Sequence, residues 1–168
     1  NPTLLPKPGL TPLMVAAGHD YWEGESPGPF TGVSEAERLD AVKLAVALGN
    51  DVNARANFGD YTMTGDVDYT LLYYPHNIDE LLELGVGDPR WDGSTPLIGA
   101  IMSGQPSIVQ YLVDRGAKLD AKTALGWTPL DVARGVFCCN AKKEFPAAEA
   151  ILQKAMAERG LLPTAGGR

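Results

Sequence analysis

The phrase Thr-Pro-Leu returns in this chain at a regular distance. It begins at Thr95 and again at Thr128, 33 residues later, and the same count backwards from Thr95 reaches Thr62. A first copy begins at Thr11, 51 residues before Thr62, which is one period plus 18 residues. A period of this length is typical of arrays in which each repeat is one supersecondary unit that stacks on its neighbours. The chain is therefore expected to fold as a short stack of units.

A second pattern has a matching spacing and predicts the structure of each unit. An apolar residue is followed three and four positions later by an apolar pair and seven positions later by glycine, at Val42, Ile78 and Val109. This spacing makes one buried stripe of a helix, which the glycine then ends. Threonine before proline favours a helix start, because Thr caps free N–H groups and Pro fits the first helical position. Each unit is thus a short helix, a longer helix and an extended loop.

These features resemble the ankyrin repeat family. The third unit, GSTPLIGAIMSGQPSIVQYLVDRGAKLDAKTAL, is similar to the family pattern over nearly its whole length, and Asp51-Val52-Asn53-Ala54 resembles its loop phrase. The resemblance covers about residues 8–160. It implies an all-α, right-handed solenoid of about four helix pairs with extended, hairpin-like loops. We expect one domain, 1–162, with units of about 8–58, 59–91, 92–124 and 125–162, and a disordered tail at 163–168.

Three units depart from the family pattern. The second begins with Thr62-Met63-Thr64-Gly65, without proline and with little helix propensity, so we expect an irregular repeat there. The first unit carries an insertion between about His19 and Val33, after which Ser34 and Glu37 form the signature of a capping box. The fourth carries an insertion from Gly135 to Phe145.

The positions after Thr-Pro-Leu also differ from the family. The family often has histidine there, and that histidine links neighbouring repeats by hydrogen bonds. This chain has Met14, Ile98 and Asp131 instead. Stacking is therefore expected to depend more on apolar burial.

Charge and hydropathy narrow the class of partner. The chain has 14 Lys and Arg against 21 Asp and Glu, a net charge of −7, so nucleic acid is not expected as a partner and a basic or neutral protein surface is. Its apolar runs are too short to span a bilayer, so membrane insertion is not expected. The resemblance is to short bacterial ankyrin arrays. It leaves open whether the protein is cytoplasmic, or periplasmic or secreted after loss of a signal peptide.

No catalytic, metal or cofactor site is predicted. The strongest candidate for a metal or acid–base cluster is His19 and Asp20 with Glu23, for which we favour a polar surface loop. Cys138 and Cys139 are adjacent, which strains a disulfide between them, and no further ligands stand at a metal-binding spacing. We interpret both as ordinary small residues.

The resemblance implies that a partner binds the loop tips and the concave, short-helix face. Aromatic and Arg residues are frequent among interface hot spots, and several fall on the predicted tips. The predicted contact residues are Arg55, Asn57, Phe58, Asp60, Tyr61, Arg90, Trp91, Asp92, Lys122, Leu125 and Trp127. The first insertion adds Tyr21 and Trp22, which either reach the partner or fold over the end of the stack.

We therefore expect a non-catalytic protein–protein interaction module, as a subunit or domain of a larger bacterial assembly. One alternative is an enzyme, or a protein that binds a metal or small ligand, with its site at the 19–33 insertion. A second alternative is a structural cap or dimerising element.

Overall fold

The computed structural model describes residues 10–19, 33–57, 91–138 and 141–161. In these residues six helices form three pairs, each of a short helix followed by a longer one. Within each pair the helices are in contact. The pairs are α1 (Pro12–Ala17) with α2 (Glu35–Ala47), α3 (Pro96–Met102) with α4 (Pro106–Asp114), and α5 (Pro129–Arg134) with α6 (Pro146–Glu158). The helical fold class predicted from the sequence is confirmed.

The pairs stack with like helices side by side. Among the short helices α3 contacts both α1 and α5, and among the long helices α4 contacts both α2 and α6. The Glu35 carboxylate at the start of α2 accepts hydrogen bonds from the backbone N–H of Ser107, at 2.8 Å, and from its hydroxyl, at 2.6 Å. The first pair therefore touches the second directly.

This order bears on the predicted second unit, 59–91. Apart from Trp91 that unit lies outside the described residues. The described residues instead place the helices of the first unit against those of the third, so no helix pair separates α1 from α3 where they touch.

The helix ends follow the sequence closely, with one exception. The hydroxyls of Thr11 and Thr128 accept the backbone N–H three residues on, at 3.1 and 3.2 Å, as a threonine cap requires. Ser34 and Glu37 form the expected capping box. At Thr95 the predicted cap is wrong, because its hydroxyl makes no such bond and has no hydrogen-bond partner among the described residues.

The positions where the family often has histidine are filled in two ways. Met14 and Ile98 have no exposed surface and lie in the apolar core. Asp131 is exposed, and its carboxylate accepts from the N–H and hydroxyl of Thr128, at 2.9 and 2.6 Å. Apolar burial thus occupies two positions and helix capping the third.

The residues between α5 and α6 contain the only strands among the described residues. β1 (Phe137–Cys138) pairs antiparallel with β2 (Ala141–Lys142), with Phe137 opposite Lys142. The backbone N–H of Phe145 then donates to the carbonyl of Ala133 at 2.8 Å. This bond returns the chain to α5 before α6 begins. In the part of the chain described, no helix is long and apolar enough to cross a membrane.

Candidate partner-binding surface

The loop after α4 ends in a tight turn. The backbone N–H of Thr123 donates to the carbonyl of Trp127 at 3.0 Å, and the N–H of Gly126 donates to the carbonyl of Thr123 at 2.9 Å. Gly126 has φ 83°, a left-handed conformation that glycine adopts without strain. The turn leaves Ala124 and Leu125 at its tip.

The loop after α2 lies beside this turn and is tied to it. The Asn53 side chain accepts from the backbone N–H of Lys118 at 2.8 Å and donates to the carbonyl of Gly116 at 3.3 Å. Nearer the tip, the Arg55 guanidinium donates to the backbone carbonyl of Lys122. These bonds fix the two loops relative to each other, and a surface that is already ordered loses less entropy when it binds.

The tips present a mixed surface to solvent, which we call the tip surface. Its charged side chains are Arg55 and Lys122, both exposed, and Asp92, which is half-buried. Its apolar part is Leu125, 37% exposed, beside the half-buried Trp127. The tip surface consists of Arg55, Asn57, Asp92, Lys122, Leu125 and Trp127.

Trp91 was predicted to face a partner, but the structure buries it. Its side chain is 2% exposed, and its ring lies 5.3 Å from that of Trp127 at an interplanar angle of 57°. Tilted pairs at this distance stabilise aromatic clusters. Trp91 therefore supports Trp127 from below, and Trp127 supplies the accessible edge of the pair.

Several predicted contact residues lie outside the described residues. Of the aromatic residues among the predicted contacts, only Trp91 and Trp127 are described. For the remaining predicted residues the structure supplies no position: Tyr21, Trp22, Phe58, Asp60, Tyr61 and Arg90.

The short-helix face contributes unevenly. Every residue of α3, from Pro96 to Met102, is buried, so this helix offers no side chain to a partner. Val15 of α1 is 49% exposed, and Asp131 and Arg134 of α5 are exposed. On the short-helix side of the third unit the accessible surface is therefore the loop tip and not α3.

Sequence reasoning did not single out Asn53 as a positioning residue. Its amide bridges two loops that are more than 60 residues apart in the chain. The only signal was its place in the loop phrase at residues 51–54, which does not show what the side chain contacts.

His19 lies inside the protein and not on a surface loop as predicted. Its side chain is 6% exposed, and Nε2 is hydrogen-bonded to the hydroxyl of Ser94. Its backbone packs so closely on Gly99 that a Cβ there would lie 2.9 Å from the His19 nitrogen. The imidazole thus belongs to the contact between the first and third units. Asp20 and Glu23 lie outside the described residues.

Among the residues that the structure describes, no group of three or more His, Cys, Asp and Glu side chains could hold a metal ion. A sequence model of the family described as Ankyrin repeats (3 copies) matches residues 63–154, which is more than half of the chain.

Proposed function

The chain belongs to the ankyrin repeat family, whose members are generally protein–protein interaction modules and typically not enzymes, and we propose that it binds another protein through the tip surface. The observation that carries this proposal is the joining of two loop tips into one ordered surface by Asn53 and Arg55. Such a module would serve as a subunit or domain of a larger assembly.

The composition of the tip surface supports a protein partner. Leu125 and the edge of Trp127 offer apolar area, and Arg55 and Lys122 offer charged groups around it. Aromatic and Arg side chains surrounded by polar groups are the usual composition of a binding hot spot. The buried Trp91 supports this surface and is not part of it.

The net charge of −7 favours a partner with a basic or neutral surface. Association with a basic partner should therefore slow as salt rises, because ions screen the long-range attraction. A rate that does not change with salt would point to a neutral partner.

Capture from cells of the source organism tests the proposal. The full chain and the double variant Lys122→Ala/Leu125→Ser are used as baits, and bound proteins are quantified by mass spectrometry. Both substituted side chains are exposed, so the fold should be retained. We expect recovery of a specific partner to fall about tenfold or more, because losing the apolar area of Leu125 and the side-chain contacts of Lys122 should together cost about 1.4 kcal/mol or more.

A matched control separates the tip surface from a general change of surface. Lys154→Ala/Leu44→Ser also replaces one exposed lysine and one exposed leucine, on α6 and α2. It should capture the partner as well as the unchanged chain does. Equal capture by all three baits contradicts the tip surface as the binding site.

A further inference from the structure

Carboxylates outnumber cations in this chain, so a lysine or arginine has many potential partners. The chain has 21 Asp and Glu against 14 Lys and Arg. Three cations of the described residues form ion pairs, at 3.1, 2.8 and 3.2 Å: Lys43 with Asp40, Arg134 with Glu149, and Lys142 with Glu144. The charge of each of these cations is thus already offset within the chain.

The two cationic side chains of the tip surface form no ion pair within the described residues. Arg55 and Lys122 are both exposed. Asp120, two residues before Lys122, is exposed too but makes no ion pair with it. Lys118 and Lys154 also form no ion pair there. The tip surface differs in that two such cations lie together, because the Arg55 guanidinium donates to the backbone carbonyl of Lys122.

The Arg55 guanidinium is held in place by its surroundings. Besides its bond to the Lys122 carbonyl, it lies against Gly93, where a Cβ would be 2.9 Å from Nη2. Arginine carries five N–H donors in a planar fork, and one of them is used by this carbonyl. The other donors make no hydrogen bond within the described residues, and a fork of this kind matches the two oxygens of a carboxylate.

Apolar side chains complete the tip surface beside these cations. Leu125 is exposed, and Trp127 is half-buried. When a partner covers such apolar area, water is excluded and a charge pair beside it becomes stronger. Asp92, which supplies the one carboxylate of the tip surface, is half-buried, so the exposed charged groups of this surface are positive.

We propose that the tip surface recognises an Asp or Glu side chain that stands next to an apolar side chain on the partner protein. The carboxylate pairs with Arg55 and Lys122, and the apolar side chain covers Leu125 and the edge of Trp127. This inference rests on the proposed function, since it names the chemistry that the tip surface selects. The net charge of −7 acts at long range on the whole partner, whereas the contact is set by the groups at the tip.

Two substitutions of Lys122 in the full chain test the sign of the charge that it meets. Lys122→Gln and Lys122→Glu are added as baits to the capture experiment, and recovery of the partner that the unchanged chain captures is quantified. Neutralising an exposed pair should lower recovery about threefold. Reversing the charge should lower it about tenfold or more, because like charges then face each other.

Lys154→Glu is the matched control. It changes the net charge by the same amount at an exposed lysine of α6 and should leave recovery unchanged. Recovery by Lys122→Glu that equals or exceeds that by Lys122→Gln would overturn the proposal, because the partner would then present no acid at this point. Equal losses for Lys122→Glu and Lys154→Glu would also overturn it, since only the net charge would matter.

The double variant Lys122→Ala/Leu125→Ser separates this proposal from the proposed function. If that variant loses the partner while Lys122→Glu keeps it, the tip surface remains the binding site and only the acidic contact is wrong. If that variant also keeps the partner, or the unchanged chain captures none, the proposed function itself is contradicted.

Discussion

The two contacts between units place their polar groups differently. At the first contact, between α1 and α3, the polar atoms are inside: His19 is hydrogen-bonded to Ser94, and Ser103 donates to Ala17. At the second, between α3 and α5, buried Val132 and Ala133 supply apolar surface. Polar contact lies at the edge of the interface between these two units, on the side of α4 and α6, where the Arg159 guanidinium donates to the carbonyls of Val113 and Ala117, at 2.6 and 2.8 Å.

This difference determines how each contact should respond to substitution. Buried hydrogen bonds need fixed geometry, and the first contact obtains it through small residues, since a Cβ on Gly18 would lie 2.5 Å from Ser103. An apolar contact tolerates substitutions that conserve side-chain volume. At an exposed site, water can replace a hydrogen-bond partner that a substitution removes. The first contact should therefore be the more sensitive to a single added or removed atom.

The largest effect is expected from Gly99→Val. The new Cβ would meet the backbone nitrogen and Cα of His19 at 2.9 and 3.0 Å, and backbone cannot move aside as a flexible side chain can. Overpacking of this kind should lower the free energy of unfolding by about 3 kcal/mol in urea titrations. Ala150→Val on the exposed face of α6 is the control, with an expected loss of about 0.5 kcal/mol. Similar losses for the two variants would mean that α3 does not lie close to His19.

A smaller effect is expected from Ser103→Ala. It removes one hydroxyl from inside the first contact and leaves the Ala17 carbonyl buried without that donor. Such a loss costs about 1–3 kcal/mol, measured by the same urea titration. Ser107→Ala, which removes a hydroxyl from the exposed pair with Glu35, should cost less. The reverse order would contradict the account of the first contact.

Arg159→Ala tests the edge of the second contact. It removes two hydrogen bonds, but Arg159 is an exposed residue, so its truncation should let water reach the carbonyls of Val113 and Ala117. We expect a loss of about 1 kcal/mol in the free energy of unfolding. Arg159→Lys should recover part of it, because a cation still lies near the end of α4. A loss as large as that of Gly99→Val would show that this edge is not solvated.

The smallest effect is expected in the loss of stability at low pH. The backbone N–H and the hydroxyl of Ser34 hold the pKa of Glu37 below its usual value of 4.5. The stabilisation of the folded state by ionised Glu37 is therefore present above pH 4.5, and it is lost as the pH falls through the lower pKa of the folded state. In thermal unfolding from pH 7 to pH 3, Glu37→Gln should lose less stability than the unchanged chain. Glu158→Gln, which removes an exposed charge from α6, should behave like the unchanged chain.

Local signals in the sequence predicted the local structure well. The starts at Thr11, Ser34 and Thr128 were predictable because a cap involves only residues three positions apart. Gly18 ends α1 with φ 93°, a left-handed conformation that glycine adopts at the end of a helix. The helical class follows from the same short-range rules.

Long-range features were not predictable in the same way. The 33-residue period counts residues along the chain, and it does not reveal that the first unit rests on the third. The burial of His19 depends on Gly99, and the burial of Trp91 depends on Trp127. The two residues of each pair are far apart in the sequence. The hydropathy of a single tryptophan cannot distinguish a partner contact from a supporting ring.

Nuclear Overhauser effects between the first and third units test the central claim most directly. In the full chain the Hα protons of Gly18 lie against the Ser103 side chain, so a strong cross-peak between Gly18 Hα and Ser103 Hβ is predicted. It should be accompanied by a cross-peak between Gly99 Hα and the amide proton of His19. Cross-peaks from Gly18 to residues 58–90 in place of those to Ser103 would contradict direct stacking of the two units.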